Sequence, residues 1–172
     1  MMVISVLEHT PVWVWVLFIY LLSRGVKALK TREVAVSRLL IIPVVFLLWG
    51  IYGVFQETHW TLAALSALVV GLLLGGVIGA LLGRRNHPIA ISSQPGMIIR
   101  PGSVLPLIFM VAAFIAKYVL TVAVIFQPLL IDSLNFNLLH GGISGLSAGV
   151  FWGNMLIAVI PWYRQRAQSI TR

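Results

Sequence analysis

Lys117 is the one charge inside the apolar run from Leu105 to Phe126. An ammonium held at the bilayer centre costs about 2.5–3.5 kcal/mol on insertion scales, so such a residue belongs in a bundle interior or a wet cavity. Its stem of about 6 Å falls short of headgroups about 15 Å away, so snorkelling does not rescue it. No span supplies a central carboxylate. The candidate partners are Tyr118 beside it, Thr121 one turn on, and Asn154, which residue counting places at similar depth. Ser147 lies seven residues before Asn154 on the same helix face. Such a cluster could hold a ligand anion or handle a proton, or it could be a structural tie between helices.

A second grouping pairs histidines with acids. Glu8 and His9 precede the first span, Glu57 and His59 link the second and third, and Asp132 and His140 precede the fifth. His9, His59, His140, Glu57 and Asp132 are therefore candidates to bind zinc or copper or to relay protons. They are dispersed over three links without the tight spacing of a metal motif, and polar residues collect at span ends in any case. No phosphate-cradling glycine motif, nucleophile elbow or paired zinc-ligand motif occurs, and the sequence specifies no cofactor. The absence of cysteine excludes disulfides, thiolate metal sites and thiol catalysis. Ser103 is expected to cap the fourth span, with Pro106 in its first turn.

The elements that must position these residues are membrane helices. Of the 172 residues 60% are hydrophobic and 9% charged, with a mean hydropathy of +1.02; a soluble domain is about 25% charged. Five runs approach or exceed the roughly 20 residues needed to cross the hydrocarbon: 12–29, 36–55, 61–83, 105–126 and 140–162. The reading is an all-α integral membrane protein forming a single membrane domain over residues 1–172. Thr10 and Pro11 open the first helix, and Pro43 predicts a kink in the second. A barrel would need alternating polarity that these runs lack.

Arg24, Lys27, Lys30, Arg32 and Arg38 lie between spans one and two. Arg84, Arg85 and Arg100 lie between three and four, and Arg164, Arg166 and Arg172 in the tail. Eleven of the twelve Lys and Arg thus fall on one side, and the positive-inside rule puts the N-terminus outside and the C-terminus in the cytoplasm. The net charge of +8, which in a soluble protein would suggest nucleic acid, is explained by this asymmetry, so no nucleic-acid partner is implied. Trp13, Trp15, Trp60 and Trp162 fall near span ends as interfacial anchors. No basic residue precedes the first helix and five follow it, the reverse of a cleavable signal, so it is read as retained. Met1 to Leu7 is expected in the outer interface. Pro95-Gly96 predicts a turn in a short cytoplasmic hairpin between spans three and four. Gln127 to Leu139 is expected as an amphipathic piece on the outer surface.

Two spans carry glycine every fourth residue: Gly71, Gly75, Gly79 and Gly83 in the third, Gly141, Gly145, Gly149 and Gly153 in the fifth. Positions i and i+4 stack on one helix face, so each row makes a bare groove for another backbone, within the chain or in a homo-oligomer.

With Thr10-Pro11-Val12-Trp13-Val14, Pro101-Gly102-Ser103 before Pro106-Leu107, and Phe114 with Lys117-Tyr118, the chain resembles a group of small bacterial inner-membrane proteins catalogued as a domain of unknown function. It is similar, more distantly, to the CcdC-like membrane proteins. The resemblance implies a bacterial inner-membrane location and places Lys117-Tyr118 within the family pattern, without naming a reaction. The function expected is that of a small transporter-like protein or accessory membrane subunit, with the lipid bilayer and another membrane subunit or a second copy as partners. The alternative is a membrane enzyme or a metal- or haem-handling factor using the outer His and acidic residues.

Overall fold

The structure, a computed structural model, describes residues 12–58, 61–86, 90–91 and 96–170. The expectations placed on Met1 to Leu7, Glu8, His9, Thr10, Pro11, His59, Trp60 and Pro95 lie outside the described residues, as do those on the side chains of Trp13 and Trp162. In chain order the elements are α1 (Val12–Lys27), β1 (Arg32–Ala35), α2 (Val36–Leu39), α3 (Ile41–Glu57), α4 (Leu62–Asn86), β2 (Ala90–Ile91), β3 (Met97–Arg100), α5 (Leu105–Phe126), a 3₁₀ turn (Pro128–Asp132) and α6 (Leu134–Ile170). Among the described residues four helical stretches are long and apolar enough to cross a membrane: Val36–Glu57, Leu62–Arg84, Leu105–Phe126 and Leu134–Ile160. The fifth long helix, α1, has 16 residues, about 24 Å, which falls short of the full hydrocarbon thickness.

Proline chemistry explains the break between α2 and α3. Pro43 has no N–H to give to the carbonyl of Leu39, and its ring crowds that carbonyl. The helix is interrupted at Leu40 and resumes when the Val44 N–H reaches the Leu40 carbonyl at 3.0 Å.

Several helix ends differ from the sequence reading, most of all in the last span. The helix of the last expected span, α6, starts at Leu134 rather than His140, so only Pro128–Asp132 remains of the expected surface piece. Asn137, read as a loop residue, sits instead inside the first turns of α6, where its side chain donates to the Ile131 carbonyl at 3.0 Å and ties the helix to the turn before it. Residues that suit loops also suit helix starts, where backbone groups lack partners. α5 starts at Leu105 as read, but Val104 holds its capping position instead of Ser103, although the Ser103 hydroxyl accepts the Leu105 N–H at 3.3 Å.

The hairpin between the third and fourth spans is present, with Ala90 opposite Ile99 and Ile91 opposite Ile98. Gly96 has φ +83°, the value that position i+2 of a type II turn requires and that glycine adopts without steric cost. The sequence reading did not anticipate β1, which joins the hairpin to give an antiparallel sheet in the order β1-β3-β2.

The glycine rows meet each other. α4 and α6 run parallel, since the contacts advance together along both helices: a Cβ on Gly141 would meet the Ala64 carbonyl oxygen, one on Gly145 that of Leu68, one on Gly149 that of Leu72 and one on Gly153 that of Gly76. In return, Cβ atoms on Gly75 and Gly79 would run into the carbonyl oxygens of Leu146 and Val150. Backbone therefore packs on backbone, which only residues lacking a side chain permit. The aromatic core forms on the other side of α6, where Phe46 of α3 meets Phe151 at a centroid separation of 4.5 Å and Trp49 meets Phe114 of α5 at 5.5 Å.

Gly145→Ala and Gly79→Ala should therefore each lower stability by about 1–3 kcal/mol or more, the cost of overpacking where the obstacle is backbone. Gly142→Ala, whose Cβ would meet nothing within 4 Å, should be neutral. Thermal unfolding of the three variants in a neutral detergent checks this; equal midpoints would show that the two helices separate without cost.

Candidate functional site

Lys117 sits on the inner face of α5, 3% exposed. Its Nζ donates to the Ser144 hydroxyl of α6 at 3.0 Å and lies 5.0 Å from the centre of the Trp49 ring on α3. A desolvated cation over an indole face contributes about 2 kcal/mol, so three helices are tied at one ammonium. One turn further along α5, the Thr121 hydroxyl lies 2.8 Å from Glu57 Oε1 and 3.1 Å from the Lys117 carbonyl. The second carboxylate oxygen of Glu57 stands 2.9 Å from His140 Nε2. His140 is 2% exposed, and its Nδ1 has no hydrogen-bond partner among the described residues.

The local sequence makes this cluster possible. Phe46, Gly50, Gly53 and Glu57 recur at helical spacing along one face of α3. The two glycines leave room for the side chains of α6: a Cβ on Gly50 would touch Ser144, and one on Gly53 would come within 2.9 Å of the His140 ring. Opposite them on α6 stand His140, Ser144 and Phe151. Sequence reasoning placed Thr121 beside Lys117 and grouped Glu57 with His140, but did not join the two groups. It missed Ser144, Trp49, Gly50 and Gly53 altogether. The available signal was the 46/50/53/57 stripe, a small-residue face ending in an acid.

Asn154 is not a partner of Lys117. Its Oδ1 accepts a hydrogen bond from Nη2 of Arg100 on β3, at the other end of the bundle. The late start assigned to α6 accounts for part of the error: the residue level with Lys117 is Ser144, and Asn154 lies about 15 Å further along the axis. Ser147 is buried, but its hydroxyl donates back to the Ile143 carbonyl of its own helix, a common resolution for serine within a helix. Tyr118 turns toward the aromatic core, its ring stacked on Phe114 at 6.1 Å between centroids.

Of the metal candidates, His140 and Glu57 form a pair, Asp132 is exposed on the 3₁₀ turn, and His9 and His59 lie outside the described residues. Among the described residues no three His, Cys, Asp or Glu side chains are grouped to hold a metal ion.

The basic end has its own electrostatics. Burial, and then the charge of Arg32, hold the Arg100 guanidinium below its ordinary pKa. Burial, and then Arg24, act in the same direction on Arg32.

Residues 1–159 match the model of a family described as a family of unknown function (DUF6622). Over 71 residues the chain is 35% identical to an uncharacterized protein of Pasteurella multocida (strain Pm70), a match covering 41% of this chain and 55% of that protein. The chain thus spans about half the length of this curated relative. No solved structure matches it.

Lys117 and Ser144 belong to one hydrogen-bonded group and Asn154 to another. A double-mutant cycle should therefore give a coupling of about 0.5–3 kcal/mol for Lys117→Met with Ser144→Ala, and additivity within about 0.5 kcal/mol for Lys117→Met with Asn154→Ala. Chemical unfolding in detergent measures both; strong coupling of Asn154 to Lys117 would contradict the separation of the two sites.

Proposed function

The chain belongs to the family of unknown function DUF6622, and we propose that this protein is a non-enzymatic accessory subunit of the bacterial inner membrane. In this reading it spans the bilayer five times, with its N-terminus outside and its C-terminus in the cytoplasm. The apolar helices fit a bilayer, and a relative from a bacterium is consistent with the location. The charge asymmetry supports the orientation. α1 would complete its crossing by tilting little and letting Arg24 and Lys27 in its last turn reach the cytoplasmic headgroups.

The observation that carries the accessory reading is the sealing of Lys117. A transport site needs its ionisable residue to meet water on at least one side of the membrane, whereas Lys117 is 3% exposed and its ammonium is held by Ser144 and Trp49. A buried cation whose contacts are all internal acts as a tie. The tie fixes α3, α5 and α6 as one unit and leaves the outward faces of α3, α4 and α5 free to meet lipid or another membrane protein. The enzyme or metal-handling alternative draws no comparable support from the described residues, among which the outer His and acidic side chains yield one pair.

Because the chain lacks cysteine, single cysteines test both parts of the proposal. An impermeant thiol reagent added to intact cells should label Gln56→Cys and spare Arg84→Cys until the membrane is permeabilised, since these positions end α3 and α4 on opposite sides. Labelling of Arg84→Cys alone would invert the orientation.

Ser144→Cys should stay unlabelled from both sides and react once the protein is denatured. Reaction in the native state would expose a water path to Lys117 and favour transport. Lys117→Met, similar in length and unable to ionise, should insert normally and unfold within a few degrees of the parent, because the freed Ser144 hydroxyl can turn back to its own helix. Lys117→Met that accumulates normally yet abolishes a cellular phenotype would argue against a purely structural lysine.

A further inference from the structure

At the end of the bundle opposite Glu57, the sheet and the helix ends enclose a cavity of about 70 Å³. That volume admits roughly five water molecules, comparable with a phosphate group. Its charged lining is Arg24, Lys30, Arg32, Arg38 and Arg100, drawn from both basic links, and no carboxylate is among its lining residues. Toward the bundle the walls turn apolar, with Ile42, Pro43, Phe109 and Phe151. Cations above an apolar cleft match the two parts of an anionic amphiphile.

The sheet register gives an independent reason. Arg32 of β1 stands directly opposite Arg100 of β3, and Val34 opposite Ile98. Like charges directly opposite on antiparallel strands destabilise the pair. Alternation along β1 turns Arg32 and Val34 into the cavity, while Glu33 between them points to the other face. Asn154, the partner of Arg100, is neutral and orients the guanidinium without cancelling its charge. The loop after β3 is pinned against the α1–β1 link, with the Ser103 N–H on the Ala28 carbonyl at 2.8 Å and the Gly102 N–H on the Thr31 hydroxyl at 3.3 Å. The two arginines are thus held face to face by backbone rather than left to drift apart.

We propose that this cavity binds a phosphate group between the facing guanidiniums of Arg32 and Arg100, brought either by an anionic lipid headgroup whose chain lies along the apolar walls or as the free ion. Arginine presents paired N–H donors that match phosphate oxygens two at a time, and basic pockets between helix ends at the cytoplasmic surface are suited to lipid headgroups. The site is independent of the role of Lys117, since the two lie at different depths and share no side chain.

The test titrates purified protein in a neutral detergent with phosphatidylglycerol, phosphatidylcholine or inorganic phosphate, following the thermal midpoint. The lipid source predicts a saturable stabilisation by phosphatidylglycerol that phosphatidylcholine does not give. The free-ion source predicts the same saturation with inorganic phosphate. In either case Arg32→Gln and Arg100→Gln should raise the half-saturating concentration about tenfold or more, the effect of losing charge-assisted hydrogen bonds. Arg84→Gln, which removes the same charge at an exposed position outside the cavity, should leave it unchanged. Should Arg100→Gln fail to fold, Arg32→Gln and Arg38→Gln at the more open part of the lining carry the comparison. Equal responses of the parent, Arg32→Gln, Arg38→Gln and Arg84→Gln, or no saturable response to phosphatidylglycerol or phosphate, would overturn the proposal.

Discussion

Two helices whose backbones touch cannot also be separated by side chains, and this constraint on α4 and α6 governs the arrangement of the remaining elements. With glycine on both contact faces, the carbonyls of Ala64, Leu68, Leu72 and Gly76 lie where Cβ atoms of α6 would otherwise stand. Apolar association alone gives little preference for helix over lipid, because lipid tails are as apolar as leucine, so close packing of small residues supplies the missing specificity. Once α4 covers one face of α6, only the opposite face can receive α3 and α5. That face is where His140, Ser144 and Phe151 project.

The polar groups of the bundle then fall into two sets at different depths. Around Lys117 the polar side chains are linked inside the protein: ammonium on hydroxyl and indole, threonine beside carboxylate, carboxylate beside imidazole. Three helices distant in sequence converge there, so the arrangement depends on packing that is already complete. Gly50 and Gly53 show how closely the two are linked, since a methyl group at Gly53 would reach the His140 ring. The same small-residue device that joins α4 to α6 by backbone therefore admits polar side chains between α3 and α6.

How much of this was legible in the sequence depends on the range of the interaction involved. Helix positions follow from hydrophobic length, a local property, and 105–126 coincides with α5 while Pro43 marks the break before α3. The glycine rows were legible as faces because spacing of four is also local, but their parallel pairing with each other was not. The lysine site was only half legible. Its residues are unusual enough to be singled out, yet choosing partners required depth along α6, and a helix start read six residues late moved the expected partner toward Asn154 and away from Ser144. Strand β1 escaped notice because Arg32 to Ala35 is short and charged, and it becomes a strand only when β3, far away in sequence, offers hydrogen bonds to it. Cross-strand charge pairing is likewise invisible until register is known.

The distribution of acids completes the physical contrast between the two ends. The chain has four Asp and Glu against twelve Lys and Arg, and Glu57 is drawn into the network beside Lys117 and His140. Glu33, the acid nearest the basic end in sequence, is turned away from the cavity by strand alternation. The field inside that cavity is thus set by cations facing one another across a narrow gap with apolar walls, where low polarity strengthens their repulsion. A protein could relieve such repulsion by placing one acid at Asn154, which already reaches Arg100. An amide in that position fixes the geometry of the guanidinium while leaving its charge available, and this is the arrangement that an anion arriving from outside the fold requires.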